Sequence, residues 1–301
     1  MAKIIGVIGL GNIGSSIAMY LVKNGFEVFG FDVRAEANAQ LVADGGIALD
    51  SVGSVASRSE VLISSLPSVA ALHSVLDQIE PHIRNKVLIE TSTLPLDVKL
   101  QAHSRVTAAG GQIMDCPLSG TAMQARKGDV VAYASADAGV LEQVRDVLNG
   151  FNRKTYDLGA YGTGSKMKII ANLLVAVHNV ATAEALVLAQ KAGLDLNQAI
   201  EVLSDGAGGS RMLEVRGPMM ANNGYGEPGM NVGVFMKDIA IISEFALKVG
   251  APIPLLNSAT PISTSALARG WGGSDTASVY AILADMANID RTPSPQEEEK
   301  K

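Results

Sequence analysis

Up to about residue 160 the chain alternates short apolar, β-branched runs with longer stretches whose apolar positions recur at helical spacing. "IIGVIGL", "EVFGFD", "VLISSL", "KVLIET", "QIMDCP" and "VVAYAS" predict strands, and the segments between them are long enough for crossover helices. That rhythm predicts a parallel, doubly wound sheet. From about Gly164 the pattern changes to long Ala/Leu/Ile-rich segments with helical period, interrupted at "AGLDLN", "GAGGSR" and "VGAPIP". The chain therefore divides into an α/β domain over 1–163 and an all-helical domain over 164–290.

The helical half is expected to begin with one long helix from Ser165 to about Lys191, roughly 40 Å at ~1.5 Å per residue, able to join the two domains. Its run "IIANLLVAVHNVATAEALVLA" is the longest apolar stretch, but Asn172, His178, Asn179 and Glu184 interrupt it, which reads as a buried helix and not a membrane span. The end of the chain, "RTPSPQEEEKK", combines prolines with a charge run and no apolar period, so 291–301 is expected to be a disordered tail.

Composition narrows the chemistry. The 301 residues carry 30 acidic against 24 basic side chains, with no cluster of basic and aromatic residues, which argues against a nucleic-acid partner. A single cysteine, Cys116, excludes an internal disulfide and a multi-cysteine metal cluster, and fits a reducing cytoplasm. The four histidines show no ligand spacing, so no metal is expected. The start, "MAKIIGVIGLG", has glycines where a signal peptide needs its apolar segment, and no secretion is expected.

The same start carries the strongest local motif. Gly9, Gly11 and Gly14 form G-x-G-x-x-G directly after a strand and at the opening of a helix, with Leu10, Asn12 and Ile13 between them. Such glycines permit a tight turn, let backbone approach a pyrophosphate and let helix and strand pack closely, while the helix N-terminus meets the negative charge. Asp32, at the end of the second strand and eighteen residues after Gly14, is placed to accept from ribose hydroxyls. An acid there favours NAD, while Arg34 could meet a 2′-phosphate and leaves NADP open.

Two further strand ends, "SSLPS" with Leu66 and Pro67 and "TSTLP" with Thr93, lie where open α/β sheets bind ligands. "DCPLSGTAMQARKGD" places Ser119, Gly120 and Thr121 in a turn whose amides and hydroxyls could hold a substrate carboxylate. In "GTGSKMKIIAN", Lys168 and Asn172 are four residues apart and share a helix face, to which Asn179 nearly returns. Lys166 lies about 200° from Lys168 and is expected to be solvated. A lysine whose neutral form is favoured can take the hydroxyl proton when an alcohol is oxidised and return it in reverse, although a lysine snorkelling from a buried helix would look the same in sequence. In "FMKDIAIISEF", Lys237 could reach cofactor or substrate with Asp238 orienting it, and Arg211 could meet an anionic substrate tail.

Taken in order, "GLGNIG", the Leu66–Pro67 pair, "TSTLP", "DCPLSG", "GTGSKMKIIAN" and "MKD" resemble the β-hydroxyacid dehydrogenases, the 3-hydroxyisobutyrate dehydrogenase and tartronate semialdehyde reductase group related to 6-phosphogluconate dehydrogenase. The resemblance implies a Rossmann domain, a long interdomain helix and an all-α domain that forms a homodimer or homotetramer. It implies Lys168 as catalytic acid/base with Asn172 holding the substrate, Ser119 and Gly120 on the substrate carboxylate, Thr93 near the nicotinamide, and Lys237 at the cofactor or the active-site edge. The reaction implied interconverts a small 3-hydroxy acid and its semialdehyde or 3-keto acid. Where this family often continues "SGG", the chain has "SGTAMQ", so Thr121, Met123 and Gln124 point to a substrate with a further polar group. Two other readings are an imine reductase, which commonly lacks the lysine, and a non-catalytic dinucleotide-binding scaffold.

Overall fold

The computed structural model describes residues 3–226 and 228–290, and the expected tail at 291–301 lies outside the described residues. The chain divides into two compact units whose boundary falls just after Lys168.

In the first unit, β1 (Ile4–Ile8), β2 (Glu27–Phe31), β3 (Ile47–Ala48), β4 (Val61–Ser64), β5 (Val87–Glu90), β6 (Gln112–Asp115), β7 (Leu118–Ser119), β8 (Val131–Ala136) and β9 (Lys154–Asp157) form one sheet. The order is β3-β2-β1-β4-β5-β6-β8-β7, with β9 on β8. Interleaved with them are α1 (Asn12–Lys23), α2 (Ala35–Ala43), α3 (Val52–Arg58), α4 (Val69–Ile79), α5 (Leu96–Ala108), α6 (Ala122–Arg126) and α7 (Val140–Asn149). Strands β1 to β6 are parallel where they pair. The central β4 and β5 are buried at every position, as strands covered by helices on both faces must be. Alternate residues feed two cores: Ile63 and Ile89 pack with Ile17 and Leu21 of α1, whereas Leu62 and Leu88 pack with Leu72 and Leu76 of α4.

The sheet is not parallel throughout. Strand β8 runs antiparallel to β6 and β7, and only β9 returns parallel to it. Between β6 and β8 the only helix is the five-residue α6, too short for the crossover that a parallel connection needs, so the chain comes back antiparallel. Ser119 belongs to the short strand β7, so only Gly120 occupies the expected turn, and Thr121 is already the N-cap of α6.

Helix α8 (Thr163–Lys191) joins the units and starts two residues earlier than its sequence pattern indicates. The second unit is helical: α9 (Leu196–Asp205), α10 (Arg211–Ala221), α11 (Val232–Val249), α12 (Pro254–Ala268) and α13 (Val279–Met286). Four of these boundaries have a local cause in the residue that closes them. Asp195, Ser210 and Asn231 cap α9, α10 and α11 through their side-chain oxygens, and Gly250 ends α11 in the left-handed region. Helix α8 has the length and hydropathy of a membrane span, but its Asn172 and Asn179 are buried against Asp238 and the Thr276 carbonyl, as in the core helix of a folded domain.

Candidate active site

The strand order reverses at β1, whose neighbours β2 and β4 leave in opposite directions along the sheet, and the glycine-rich loop follows β1 at that point. Gly9 has φ of +85°, and a Cβ there would lie 2.3 Å from the Ser65 carbonyl oxygen after β4. At Gly14 a Cβ would fall 1.9 Å from the Gly9 carbonyl oxygen, so α1 can approach the turn only without a side chain there. Gly11 is different: nothing lies within 4 Å of a Cβ built on it, and as N-cap of α1 it brings no side-chain cap to the first-turn amides. Open space in front of uncapped helix amides fits a pyrophosphate. Asn12 is exposed and Ile13 half-buried on that first turn.

Asp32 sits beside this loop. Its Oδ2 accepts from the Leu10 amide at 2.7 Å, and its Oδ1 accepts from the Arg34 amide at 2.9 Å. The Arg34 guanidinium closes on the same carboxylate, Nε to Oδ1 at 3.0 Å and Nη2 to Oδ2 at 3.2 Å, while Nη2 also donates to the Leu10 carbonyl at 3.2 Å. Burial works against the Asp32 charge, but the Arg34 guanidinium and the two amides outweigh it and hold the carboxyl below its ordinary value. Arg34 is thus committed to Asp32 even though about half of its side chain is exposed.

The loops after β4 and β5 are tied to each other. The Leu66 amide donates to Ser92 Oγ at 2.8 Å, and Thr91 Oγ1 donates to the Ser64 carbonyl at 2.8 Å. Pro67 is exposed and Thr93 half-buried at the rim of these loops. Ser119, Gly120 and Thr121 are also half-buried. Thr121 and Gln124 form a reciprocal capping box: Thr121 Oγ1 accepts from the Gln124 amide at 3.2 Å, and Gln124 Oε1 accepts from the Thr121 amide at 2.9 Å. The departure from "SGG" therefore has a local structural use. Cys116, next to this loop, is no nucleophile, because burial first and the Asp115 charge second push its thiol up.

On α8, Lys166 is exposed, Lys168 half-buried and Asn172 buried. Asn172 Nδ2 donates to Asp238 Oδ2 at 2.9 Å, and the other oxygen of Asp238 lies 3.3 Å from Lys237 Nζ. Asp238 thus joins two residues that the sequence places 65 positions apart. Arg211 is paired with Glu214 at the surface, 2.7 Å away. Among the described residues of the second unit, the buried arginine is Arg216, whose Nε donates to Asp275 at 3.0 Å, and nothing in its local sequence marks it.

Two family models cover the chain, one described as the NAD binding domain of 6-phosphogluconate dehydrogenase over residues 4–159 and one as the NAD-binding of NADP-dependent 3-hydroxyisobutyrate dehydrogenase over residues 162–283. The chain is 32% identical to the L-threonate dehydrogenase of Cupriavidus necator across 94% of its own length and 97% of the relative's. The chain belongs to the β-hydroxyacid dehydrogenase family. Other members tell the same story: the L-threonate dehydrogenase of Escherichia coli K12 is 30% identical over 94% of this chain and 95% of its own length. The crystal structure of 3-hydroxyisobutyrate dehydrogenase from Salmonella typhimurium superposes with a TM-score of 0.85 at 29% identity, covering 93% of this chain and 99% of that one. As a member of the β-hydroxyacid dehydrogenases, the chain is an NAD(P)-dependent hydroxyacid oxidoreductase.

Proposed function

We propose that the chain interconverts a small, polyhydroxylated hydroxy acid of the L-threonate class and its carbonyl product, with NAD as the preferred cofactor and Lys168 as the proton-transfer group. What supports the reading above all is Lys168 itself: one helical turn before the buried Asn172, on the same face, in a chain that shares most of its length with L-threonate dehydrogenases.

The bound nicotinamide supplies the hydride acceptor in oxidation and the hydride donor in reduction. The side chains do the rest. Lys168 Nζ takes the hydroxyl proton as the carbonyl forms and returns it in the reverse direction. Asn172 has its amide NH2 committed to Asp238, so its Oδ1 is the atom it offers, as acceptor for a substrate hydroxyl. The Ser119 hydroxyl and the Gly120 amide supply donors for the substrate carboxylate, with Thr121, whose own amide is taken by Gln124, closing the turn beside them. Lys237 would add a cation for substrate or cofactor, and Thr93 would add a hydroxyl for the cofactor.

Asp32 supports NAD: its carboxylate would meet a 2′-phosphate with like charge, and the Arg34 guanidinium that could offset this is already paired with it. Exposed apolar side chains of the helical unit, among them Leu188, Leu247 and Leu255, support a homodimer or homotetramer. The test is the appearance of reduced nicotinamide when the purified protein meets L-threonate, 3-hydroxyisobutyrate or other small hydroxy acids with NAD or NADP. Fastest turnover of a polyhydroxylated acid with NAD supports the proposal; preference for an unsubstituted hydroxy acid, or for NADP, contradicts its respective part.

A further inference from the structure

Two wholly buried carboxylates of the first unit converge on one side chain that the reaction does not use. Glu90 and Asp115 are direct partners across the parallel pair β5–β6, which sets two carboxylates side by side in the interior. Lys99, on α5, reaches between them: Nζ lies 3.0 Å from Asp115 Oδ1 and forms an ion pair with Glu90 as well. All three side chains are wholly buried. Burial acts against the ammonium, but Asp115 and Glu90 outweigh it and hold Lys99 above the ordinary lysine value.

Each carboxylate holds a different part of the site. Asp115 seats the start of α8: its Oδ2 accepts from the Ser165 amide at 2.7 Å and its Oδ1 from the Ser165 hydroxyl at 2.8 Å. Ser135 reinforces the same turn, accepting from the Gly164 amide at 2.9 Å and donating toward Asp115 Oδ2 at 3.3 Å. A Cβ on Gly164 would lie 2.3 Å from the Tyr133 carbonyl oxygen, so this turn packs on the strand without clearance. Lys168 lies three residues beyond Ser165 on that helix. On the other side, Glu90 Oε1 accepts from the Ser92 amide at 3.0 Å, and Ser92 Oγ accepts from the Leu66 amide, which fixes the loops of Thr93 and of Leu66–Pro67. The Lys99 carbonyl also accepts from the Tyr161 hydroxyl at 3.0 Å, just ahead of α8.

We propose that Lys99 is a positioning residue: by bridging Glu90 and Asp115 it holds the first turn of α8, and with it Lys168, in register with the two loops after β4 and β5. The role rests on Lys168 being the proton-transfer group. Apolar side chains would fill this space at lower cost than three buried charges, and what an ion triad of this kind adds is direction, since each hydrogen bond in the chain from Leu66 to Ser165 fixes an orientation.

The test uses the full chain with Lys99→Met, and with Lys99→Met combined with Glu90→Gln. The double variant removes one cation and one anion, so the interior keeps its net charge. The amide oxygen that Glu90→Gln leaves in place can still accept from Ser92, and folding is preserved where the single variant fails. In the cofactor-free protein, amide exchange at 163–168 and 91–95 is expected to rise about tenfold or more in the double variant, while the rest of the sheet stays protected. With L-threonate and NAD, kcat is expected to fall about 10- to 100-fold with little change in KM for L-threonate, because alignment is lost and substrate binding is not. Unchanged exchange together with wild-type kcat in the double variant would overturn the proposal. Lys168→Ala measured alongside separates the two claims: if turnover survives it, the assignment of Lys168 is wrong, and the exchange data alone then decide whether Lys99 holds the turn.

Discussion

Asn172 on α8 donates its side-chain amide to Asp238 on α11 at 2.9 Å, and both side chains are buried. A carboxylate so placed fixes which end of the Asn172 amide is offered onward, and its second oxygen, 3.3 Å from Lys237, engages that cation as well. Removing it leaves a buried NH2 group without its acceptor, at a cost of about 1–3 kcal/mol. Asp238→Ala is therefore expected to lower stability by that amount and to raise KM for the hydroxy acid, whereas Asp238→Asn, which keeps an acceptor oxygen, stays within about 1 kcal/mol of wild type. Denaturant unfolding and steady-state kinetics on both variants check this; wild-type values for Asp238→Ala would contradict it.

The proposed preference for NAD rests on Asp32 and Arg34 together, because the guanidinium is bound to the carboxylate through both Nε and Nη2. Asp32→Ala removes the like charge and at the same time releases Arg34 to meet a 2′-phosphate. The ratio of kcat/KM for NAD over NADP is expected to fall about tenfold or more, equivalent to about 1.4 kcal/mol. A ratio unchanged in Asp32→Ala would show that other residues choose the cofactor.

The same pair predicts a pH dependence. The Asp32 carboxyl is held below its ordinary value of 3.8, so the folded state binds its proton less readily than the unfolded chain does. Its contribution to stability is fully present above that ordinary value and is lost as pH falls through the depressed one. Unfolding midpoints measured from neutral pH down to about pH 2 are expected to fall more steeply for wild type than for Asp32→Asn at the acid end. Parallel curves for the two proteins would contradict the pairing.

Gly14 has no room for a side chain, with a Cβ 1.9 Å from the Gly9 carbonyl oxygen, while Gly11 has nothing within 4 Å. Gly14→Ala is expected to displace α1 and weaken NADH binding at least about tenfold, with a loss of stability of about 1–3 kcal/mol from overpacking. Gly11→Ala is expected to leave stability near wild type and to weaken binding of the cofactor, whose pyrophosphate would meet the new methyl. Fluorescence titration with NADH and thermal unfolding separate the two outcomes; equal stability losses would show that Gly11 is also packed.

Much of this architecture is legible in the sequence because its strands are apolar runs closed by turn residues and its helices end at glycine or begin at side-chain caps. Direction is not. Apolar alternation in "VVAYAS" marks β8 as a strand but says nothing of its running antiparallel to β6, which follows from the short connection through α6. Strands β3 and β7 are two residues long, and β9, "KTYD", is largely exposed, so pairing with a neighbour and not local pattern defines them. Among the candidate site residues, the glycine loop and Asp32 are legible because their spacing is local. Lys99 is not: its partners Glu90 and Asp115 are brought to it by sheet register, and in sequence it is one lysine on an amphipathic helix. Asp238 is legible as a neighbour of Lys237, but its bond to Asn172 spans 66 residues and depends on how α8 and α11 pack.

The central claim is that Lys168 transfers the proton, and turnover of Lys168→Ala beside wild type tests it most directly, with NADH affinity measured on the same preparations. The account predicts that kcat with L-threonate and NAD falls about 10²- to 10⁴-fold while NADH binds as before. Ordinary kcat in Lys168→Ala would contradict it and would return Lys168 to the role of a lysine snorkelling from a buried helix.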